Sequence, residues 1–454
     1  MELLETVYTE FKRAESLYHA ENDDATPFKT KYEAKEILID LITKIDDQNE
    51  PVDQLLIAKG ALQYFIAKIE YESEDRPSAV TRFKSCLEAL EPFKFDARAT
   101  SCFIKASNDI AVVWSEREEP QTAHTYLMNA KKVYKESVDK NCGHVWDQWE
   151  VLKPESERLA KSVRIDNIED LYTHTLFFLA QTTKSLDKSD ESAEYCGMCL
   201  ERQLKSGKYD AREWSLHSAC LSQYYLSIDD YVTAHHCLRA ASVMLAQESI
   251  NSSEADETTK TKISEAEADL ARCWIKYCVA FLEHSSKKLI FRQIEAELER
   301  LDDAQERKPK VEFNIDDSGA DIGNLDGIPM KPIETLQDAN RLHQRIVLFY
   351  GTATKYFQID GWVTDHVEIA QDMSRAWKHL SEFDTNFDRR CKMHKRRIDL
   401  LLPLLREINS QFYLQICRQM QFEVGEIYSE MTDLKIAIAD KDGMFSYASF
   451  MFTF

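Results

Sequence analysis

Glycine and proline are scarce in this chain of 454 residues, which has 11 of the first and 10 of the second. In average proteins the two together make up roughly 12% of residues. The shortage excludes collagen-like repeats and Pro/Gly-rich disorder, and it argues against β architectures, which need many tight turns. The motifs GxxxxGK[ST], GxGxxG, HExxH and GxSxG are also absent. The composition therefore predicts an all-α protein without a coherent active site.

Basic residues are outnumbered, since 57 Lys and Arg face 79 Asp and Glu and the formal net charge is −22. A surface of this sign repels nucleic acid and anionic lipid and favours a basic partner. No apolar run approaches the roughly 18 residues that a membrane helix requires, and the first residues, MELLETVYTEFKR, lack the basic start of a signal peptide. These features predict a soluble, cytoplasmic protein that binds neither nucleic acid nor membranes.

The 11 cysteines have no regular spacing, which is typical of reduced, buried thiols in a chain this long. Cys196 and Cys199 form a CxxC pair, but a zinc site needs a second pair of ligands. The segment His235-His236-Cys237 places neighbouring side chains on different helix faces, and Cys391 and His394 have no partner pair nearby. We therefore expect no metal, no cofactor, no small-molecule substrate and no catalytic residue.

Four stretches carry small residues at fixed offsets, which predicts an internal repeat. In a tetratricopeptide (TPR) unit, two antiparallel helices approach closely because short side chains occupy positions 8, 20 and 27. The repeat is irregular in length, so its helices or loops are longer than in a standard unit. The small residues are Ala67, Ala79 and Cys86 in the first stretch, Ala111, Ala123 and Ala130 in the second, Ala180, Ser192 and Cys199 in the third, and Ser222, Ala234 and Ala241 in the fourth.

Helical periodicity covers most of the chain and suggests its organisation. A break or kink is expected at 284–286, where the apolar stripe lapses. The last helix pair is expected to include Val424 and Ala437 in separate helices. The predicted domains are an N-terminal TPR-like solenoid at 1–250, a long linking helix region at 251–306, an acidic flexible linker at 307–333, C-terminal TPR-like helices at 334–440, and an atypical aromatic tail at 441–454 that suggests a truncation junction.

One strongly basic stretch, RRCKMHKRR at 389–397, stands out in the acidic chain. It allows a nuclear signal or a phosphate-binding patch. The favoured interpretation is a solvated or ion-paired helix face near acids such as Glu382, Asp384 and Asp388.

Several blocks resemble the KIF-binding protein (kinesin-binding protein) family over about residues 1–440. They are WSEREE (114–119), YLMNAKKVY (126–134), ARCWIKYC (271–278), DGWVTDH (360–366) and RRCKMHKRR (389–397). The resemblance implies a right-handed α-solenoid of TPR-like antiparallel helix pairs. It also implies a non-enzymatic, cytoskeleton-associated adaptor that binds kinesin motor domains in its concave face and keeps them off microtubules, and so regulates cargo transport and microtubule organisation.

In the repeat register, the first helix of each unit supplies the residues expected to line an acidic groove. Acidic loop residues are expected to steer a basic motor surface toward it. The alternative is a TPR-type scaffold or co-chaperone that clamps a peptide C-terminus; a helical hydrolase or thiol enzyme is disfavoured. The predicted groove residues are Lys105, Asn108, Phe178, Gln181, Cys220 and Gln223, and the steering residues are Glu254, Asp256 and Glu257.

Overall fold

The computed structural model describes residues 2–22, 26–49, 51–141, 144–252, 256–294, 308–315, 325 and 327–441. Within these ranges the chain forms α-helices and short 3₁₀ turns and no strand, and none of the helices is long and apolar enough to cross a membrane. The helices are α1 (Glu2–Tyr18), α2 (Lys29–Asp46), α3 (Asp53–Glu72), α4 (Arg76–Leu90), α5 (Thr100–Glu116), α6 (Pro120–Asn141), α7 (Lys161–Ser185), α8 (Ser189–Ser206), α9 (Ala211–Ser227), α10 (Tyr231–Asn251), α11 (Glu257–Ile294), α12 (Leu336–Tyr356), α13 (Val363–Glu382), α14 (Phe387–Glu407) and α15 (Leu414–Lys441).

The four predicted repeats share one turn geometry between their two helices. Glu74, Glu118, Asp187 and Asp229 each adopt a left-handed conformation with φ of 57° to 63°. In every case the amide of the next residue donates a hydrogen bond to the carbonyl five residues earlier, as Asp75 does to Glu70 at 2.9 Å. This pattern satisfies the free carbonyls at the end of the first helix and reverses the chain. The prediction of an all-α fold of TPR-like antiparallel helix pairs is confirmed.

The small residues of the repeat lie where the paired helices meet. Ala67, Ala79 and Cys86 are fully buried in the first repeat. In the third repeat the contact is partly polar, since the Ser192 hydroxyl donates to the carbonyl of Ala180 at 2.8 Å. A side chain larger than these would hold the two backbones apart.

The chain divides into two compact units, residues 1–208 and 209–454. The first unit contains α1–α8, and its buried core includes Phe11 and Phe65, against which the partly buried Trp149 packs. In the second unit, α9 and α10 pack against α11, whose Trp274 and Tyr277 are buried. This division differs from the predicted domain boundary near residue 250, because α9 and α10 pack against α11 within the second unit.

Helix α11 contains no break at 284–286, where the sequence led us to expect one. Ser285 and Ser286 are buried there, and the Ser285 hydroxyl accepts a hydrogen bond from the amide of Ile333 at 3.1 Å. The apolar stripe lapses because Ser285 supplies a polar partner to a returning segment of backbone, while the Ser286 hydroxyl donates to the carbonyl of Glu283 at 3.0 Å.

Part of the segment predicted as a flexible linker is held against the second unit. The amide of Lys310 donates to the Thr233 hydroxyl at 3.0 Å, and the amide of Phe313 donates to Nε2 of His236 at 2.9 Å. The Phe313 ring is buried and meets Trp214 edge to face. The described residues of this segment are therefore packed, which differs from the expectation.

The last helix also differs from its prediction. Val424 and Ala437 lie in the single helix α15, without the turn that the repeat register required between them. The buried residues Val424, Ile427 and Leu434 continue one apolar face, and Gly425, which lies between the first two, is part of the same helix. The predicted tail at 441–454 lies outside the described residues except for the helical backbone of Lys441.

Gly60 permits the close approach of α3 and α4. A Cβ atom at this position would lie 2.4 Å from Cδ2 and 2.5 Å from Cγ of the fully buried Leu90. We expect Gly60→Ala to destabilise the first unit by roughly 1–3 kcal/mol, because overpacking outweighs the gain in helix propensity. Urea unfolding followed by circular dichroism measures this change.

Gly425 supplies the matched control, since it is also helical but has no atom within 4 Å of an added Cβ. Gly425→Ala should stabilise its helix by roughly 0.5–1 kcal/mol. Equal effects of the two substitutions would contradict the packing explanation.

Candidate partner-binding faces

The predicted groove residues fall in two separate units, so each unit is described by itself. The first helices of successive pairs lie side by side and form one face in each. We call them the α5–α7 face in the first unit and the α9–α11–α13 face in the second. Both faces carry polar side chains that lie at least partly outside the hydrophobic cores.

On the α5–α7 face, Lys105 is half-buried and forms an ion pair with Asp109 at 3.1 Å. Asp109 also accepts a hydrogen bond from the Tyr64 hydroxyl at 2.7 Å. His174 on α7 is exposed, but partial burial of its ring and the charge of Lys105 lower its pKa. Sequence reasoning missed both Asp109, which follows Lys105 by four residues, and His174, which precedes Phe178 by four residues.

Asn108 does not face a groove, and its predicted role as a partner-binding residue is wrong. The side chain is 1% exposed. Its amide nitrogen donates to the Thr175 hydroxyl at 3.0 Å, and the same hydroxyl lies 3.1 Å from the Asn108 carbonyl oxygen. A buried amide needs such partners, and here the partner is the neighbouring helix and not a ligand.

The other two residues predicted on α7 behave differently from each other. Phe178 is half-buried and packs against the core and the ring of Phe177. Gln181 is exposed, one turn after Phe178. Gln181 is therefore available to a partner, whereas much of the Phe178 side chain stabilises the unit.

A cavity of about 260 Å³ opens on the α9–α11–α13 face. Gln223, a predicted groove residue, lies in its wall and donates a hydrogen bond to the Ser222 hydroxyl at 3.0 Å. Three charged side chains, Lys276, Glu283 and Arg375, line the same cavity. None of these three was among the predicted groove residues, which all lie on α5, α7 and α9.

The charges on this face have both signs, whereas the net charge led us to expect an acidic groove. Arg272 forms ion pairs with Asp365 at 2.8 Å and with Glu368 at 3.1 Å, and these join α11 to α13. Arg375 is paired with Asp372. Burial raises the pKa of Asp372, although the charge of Arg375 opposes this shift.

Cys220 is exposed on α9, one turn before Gln223. Of the predicted steering residues, Glu254 lies outside the described residues. Asp256 accepts a hydrogen bond from the amide of Thr259 at 3.2 Å, a contact that caps the start of α11. Glu257 is exposed in the first turn of that helix, so both described carboxylates are open to solvent.

Three of the six Lys and Arg side chains at 389–397 form ion pairs, and one of their partners, Asp384, is an acid that the favoured interpretation named. Arg389 bonds to Asp384 at 2.7 Å, and Lys395 bonds to Asp399 at 2.8 Å. Arg397 is buried and pairs with Glu430. In the described part of the chain, no group of three or more His, Cys, Asp or Glu side chains is placed to hold a metal ion.

The family model described as "KIF-1 binding protein C terminal" matches residues 212–449, which include the whole α9–α11–α13 face. The KIF-binding protein of Gallus gallus is 34% identical over 95% of this chain and 76% of its own length. This chain belongs to the KIF-binding protein family. The relative from Danio rerio is 32% identical over 96% of this chain and 78% of its own, and the relative from Homo sapiens is 30% identical over 92% and 75%.

A solved structure described as "Kinesin binding protein (KBP)" is similar in fold to this family member. It superposes with a TM-score of 0.62 at 29% identity and covers 95% of this chain and 75% of that one. The similarity therefore includes both of the faces described above.

Proposed function

We propose that this chain is a non-enzymatic cytoplasmic adaptor that binds kinesin motor domains and blocks their attachment to microtubules. The observation that carries the proposal is the similarity to proteins named KIF-binding protein, which extends over 95% of the chain in one relative. The absence of catalytic motifs in the sequence is compatible with an adaptor.

The two faces suggest how a motor domain is held. Parallel first helices of stacked pairs offer a surface on which a helix of the partner can lie. The net charge of −22 attracts the basic surface that a motor presents to acidic tubulin. Lys276, Glu283 and Arg375 place charges of both signs on one cavity wall, so they favour the orientation of a bound helix whose own charges are complementary.

We expect the double substitution Gln181→Ala and Gln223→Ala to weaken motor binding by roughly tenfold or more, because each amide loses a hydrogen bond of about 0.5–1.5 kcal/mol. The helical circular dichroism signal and the melting temperature should stay nearly unchanged, since neither side chain belongs to a core. Binding to isolated kinesin motor domains and microtubule co-sedimentation provide the measurements.

The control is the double substitution Gln121→Ala and Gln344→Ala, which changes two exposed glutamines on second helices of their pairs. This variant should bind motors as tightly as the unchanged protein. Unaltered affinity in the Gln181 and Gln223 variant would remove these faces from the binding site.

A peptide-clamping scaffold is the second candidate, and one observation favours it. Lys276, Arg375 and Gln223 line one cavity, and such a set can bind a terminal carboxylate. Glu283 in the same wall opposes this function. Preference for a peptide with a free C-terminus over its amidated form, without any motor binding, would support the scaffold instead of the motor inhibitor.

A further inference from the structure

Helices α9 and α11 each carry a cysteine next to the cavity of the α9–α11–α13 face. Gln223, Leu226 and Ser227 of α9 and Lys276, Val279 and Ala280 of α11 line this cavity together. Taken in order, the residues of the two sets are 53 positions apart. One turn earlier on the two helices, Cys220 and Cys273 are also 53 positions apart.

Their surroundings support this alignment. Helices α9 and α11 pack directly against each other. Burial, and after it the charge of a nearby Cys220 thiolate, raises the pKa of Cys273 to about 12. Among the ten cysteines that the structure describes, Cys220 alone is exposed, so it is the thiol that a solute reaches first.

We propose that Cys220 and Cys273 form a reversible disulfide across the α9–α11–α13 face when the protein meets a low-molecular-weight disulfide such as oxidised glutathione. The Cys220 thiolate attacks one glutathione sulfur, and a mixed disulfide and one glutathione thiolate result. The Cys273 thiolate then attacks the Cys220 sulfur and releases the second glutathione. The two cysteines lose two electrons and two protons, and oxidised glutathione becomes two molecules of the reduced form.

The two steps differ in rate for a structural reason. Cys220 is exposed and reacts from solution, whereas the high pKa of Cys273 leaves little thiolate at neutral pH. The second step is intramolecular, and proximity compensates for the small thiolate fraction. The closure of the bridge should therefore accelerate as pH rises from 7 to 9.

The test uses the full chain, equilibrated with mixtures of oxidised and reduced glutathione, trapped with an alkylating reagent and digested with trypsin without reduction. Cleavage after Arg212, Arg239, Arg272 and Lys276 releases Cys220 in the peptide 213–239 and Cys273 in the peptide 273–276. Mass spectrometry should find these two peptides linked in the oxidised samples, and the link should disappear on reduction.

Single variants assign the bridge. The link should be lost in Cys220→Ser and in Cys273→Ser, and it should persist in Cys237→Ser, whose fully buried thiol shares the longer peptide. Cys86 and Cys102 serve as internal controls and should stay reduced, since both are at most 1% exposed. A stable glutathione adduct on Cys220 with Cys273 still free, a link that requires Cys237, or an absence of reaction would each overturn the proposal.

The bridge itself does not depend on the proposed function. Oxidation should also change motor binding, because the bridge restrains the helices that carry Gln223 and Lys276, and this second readout does rest on the proposed function. If the bridge forms without any effect on motor binding, the α9–α11–α13 face is not the motor site. The disulfide between Cys220 and Cys273 would still be supported.

Discussion

Replacing Glu430 by glutamine should lower the stability of the second unit by roughly 3–5 kcal/mol, the usual cost of leaving a buried charge without its partner. The charge concerned is that of Arg397, which is 2% exposed. Its Nε donates to the Ser374 hydroxyl at 3.1 Å, and its terminal nitrogen pairs with Glu430. Chemical unfolding of the full chain, followed by tryptophan fluorescence, measures the loss.

The electrostatics of Glu430 give this prediction a pH dependence. Desolvation alone would raise the pKa of Glu430, but hydrogen bonds from His394 and Lys378 and the charge of Arg397 lower it well below its ordinary range. A carboxyl with a lowered folded-state pKa stabilises the protein above its unfolded value of about 4.5, and this stability is lost as pH falls. The loss of unfolding free energy caused by Glu430→Gln should therefore be largest at pH 7 and become smaller as the pH is lowered.

Two further variants test the explanation. Arg397→Met combined with Glu430→Gln removes both charges, so the double variant should be more stable than Glu430→Gln alone. Asp399→Asn breaks the exposed pair with Lys395 on the same helix and should cost at most about 1 kcal/mol. Similar losses for Glu430→Gln and Asp399→Asn would show that burial of Arg397 is not the cause.

Lowering the pH from 7 to 5 should destabilise the second unit before most carboxyl groups take up protons. Burial lowers the pKa of His235 and of His343 from 6.5 to about 4, and the charges of Arg239 and Arg396 add to this effect. The folded state accommodates the neutral rings better than the charged ones. Their contribution to the free energy of unfolding is therefore complete above pH 6.5 and is lost as the pH falls toward 4. Each ring should add a slope of at most about 1.4 kcal/mol per pH unit in this window.

The environment of the two rings explains the shift. His343 packs on Trp377 with ring centroids 4.0 Å apart, and His235 meets Trp274 at 5.4 Å. Nε2 of each ring is buried without a hydrogen-bond partner, so nothing compensates an added charge. Unfolding free energies measured from pH 4.5 to 7.5 should show the slope.

Glutamine substitutions separate the histidines from the carboxylates. His343→Gln should reduce the slope between pH 5 and 6.5, and the double variant with His235→Gln should reduce it further. His19→Gln, which changes an exposed ring in the first unit, should leave the slope of the second unit unchanged. A slope that survives the double variant would assign acid sensitivity to other groups.

The sequence by itself determined the kind of fold and the family. Small residues at fixed offsets predicted four helix pairs, and Glu74, Glu118, Asp187 and Asp229 all reverse the chain at the same position of the repeat. Such features depend on residues close in the chain, where helical periodicity and turn chemistry act directly. The resemblance of blocks such as DGWVTDH to the KIF-binding protein family also depends on the sequence alone.

Only the tertiary structure decided which polar side chains remain open to a partner. Asn108 and Gln181 were predicted for the same groove, yet Asn108 is buried and hydrogen-bonded to Thr175 in the neighbouring helix, whereas Gln181 is exposed. The continuous α15 and the packed Phe313 were missed for a related reason, since both depend on an apolar surface supplied from elsewhere in the unit. Proximity across stacked helices, as between Cys220 and Cys273, depends on how whole helices align, and no local pattern encodes that distance.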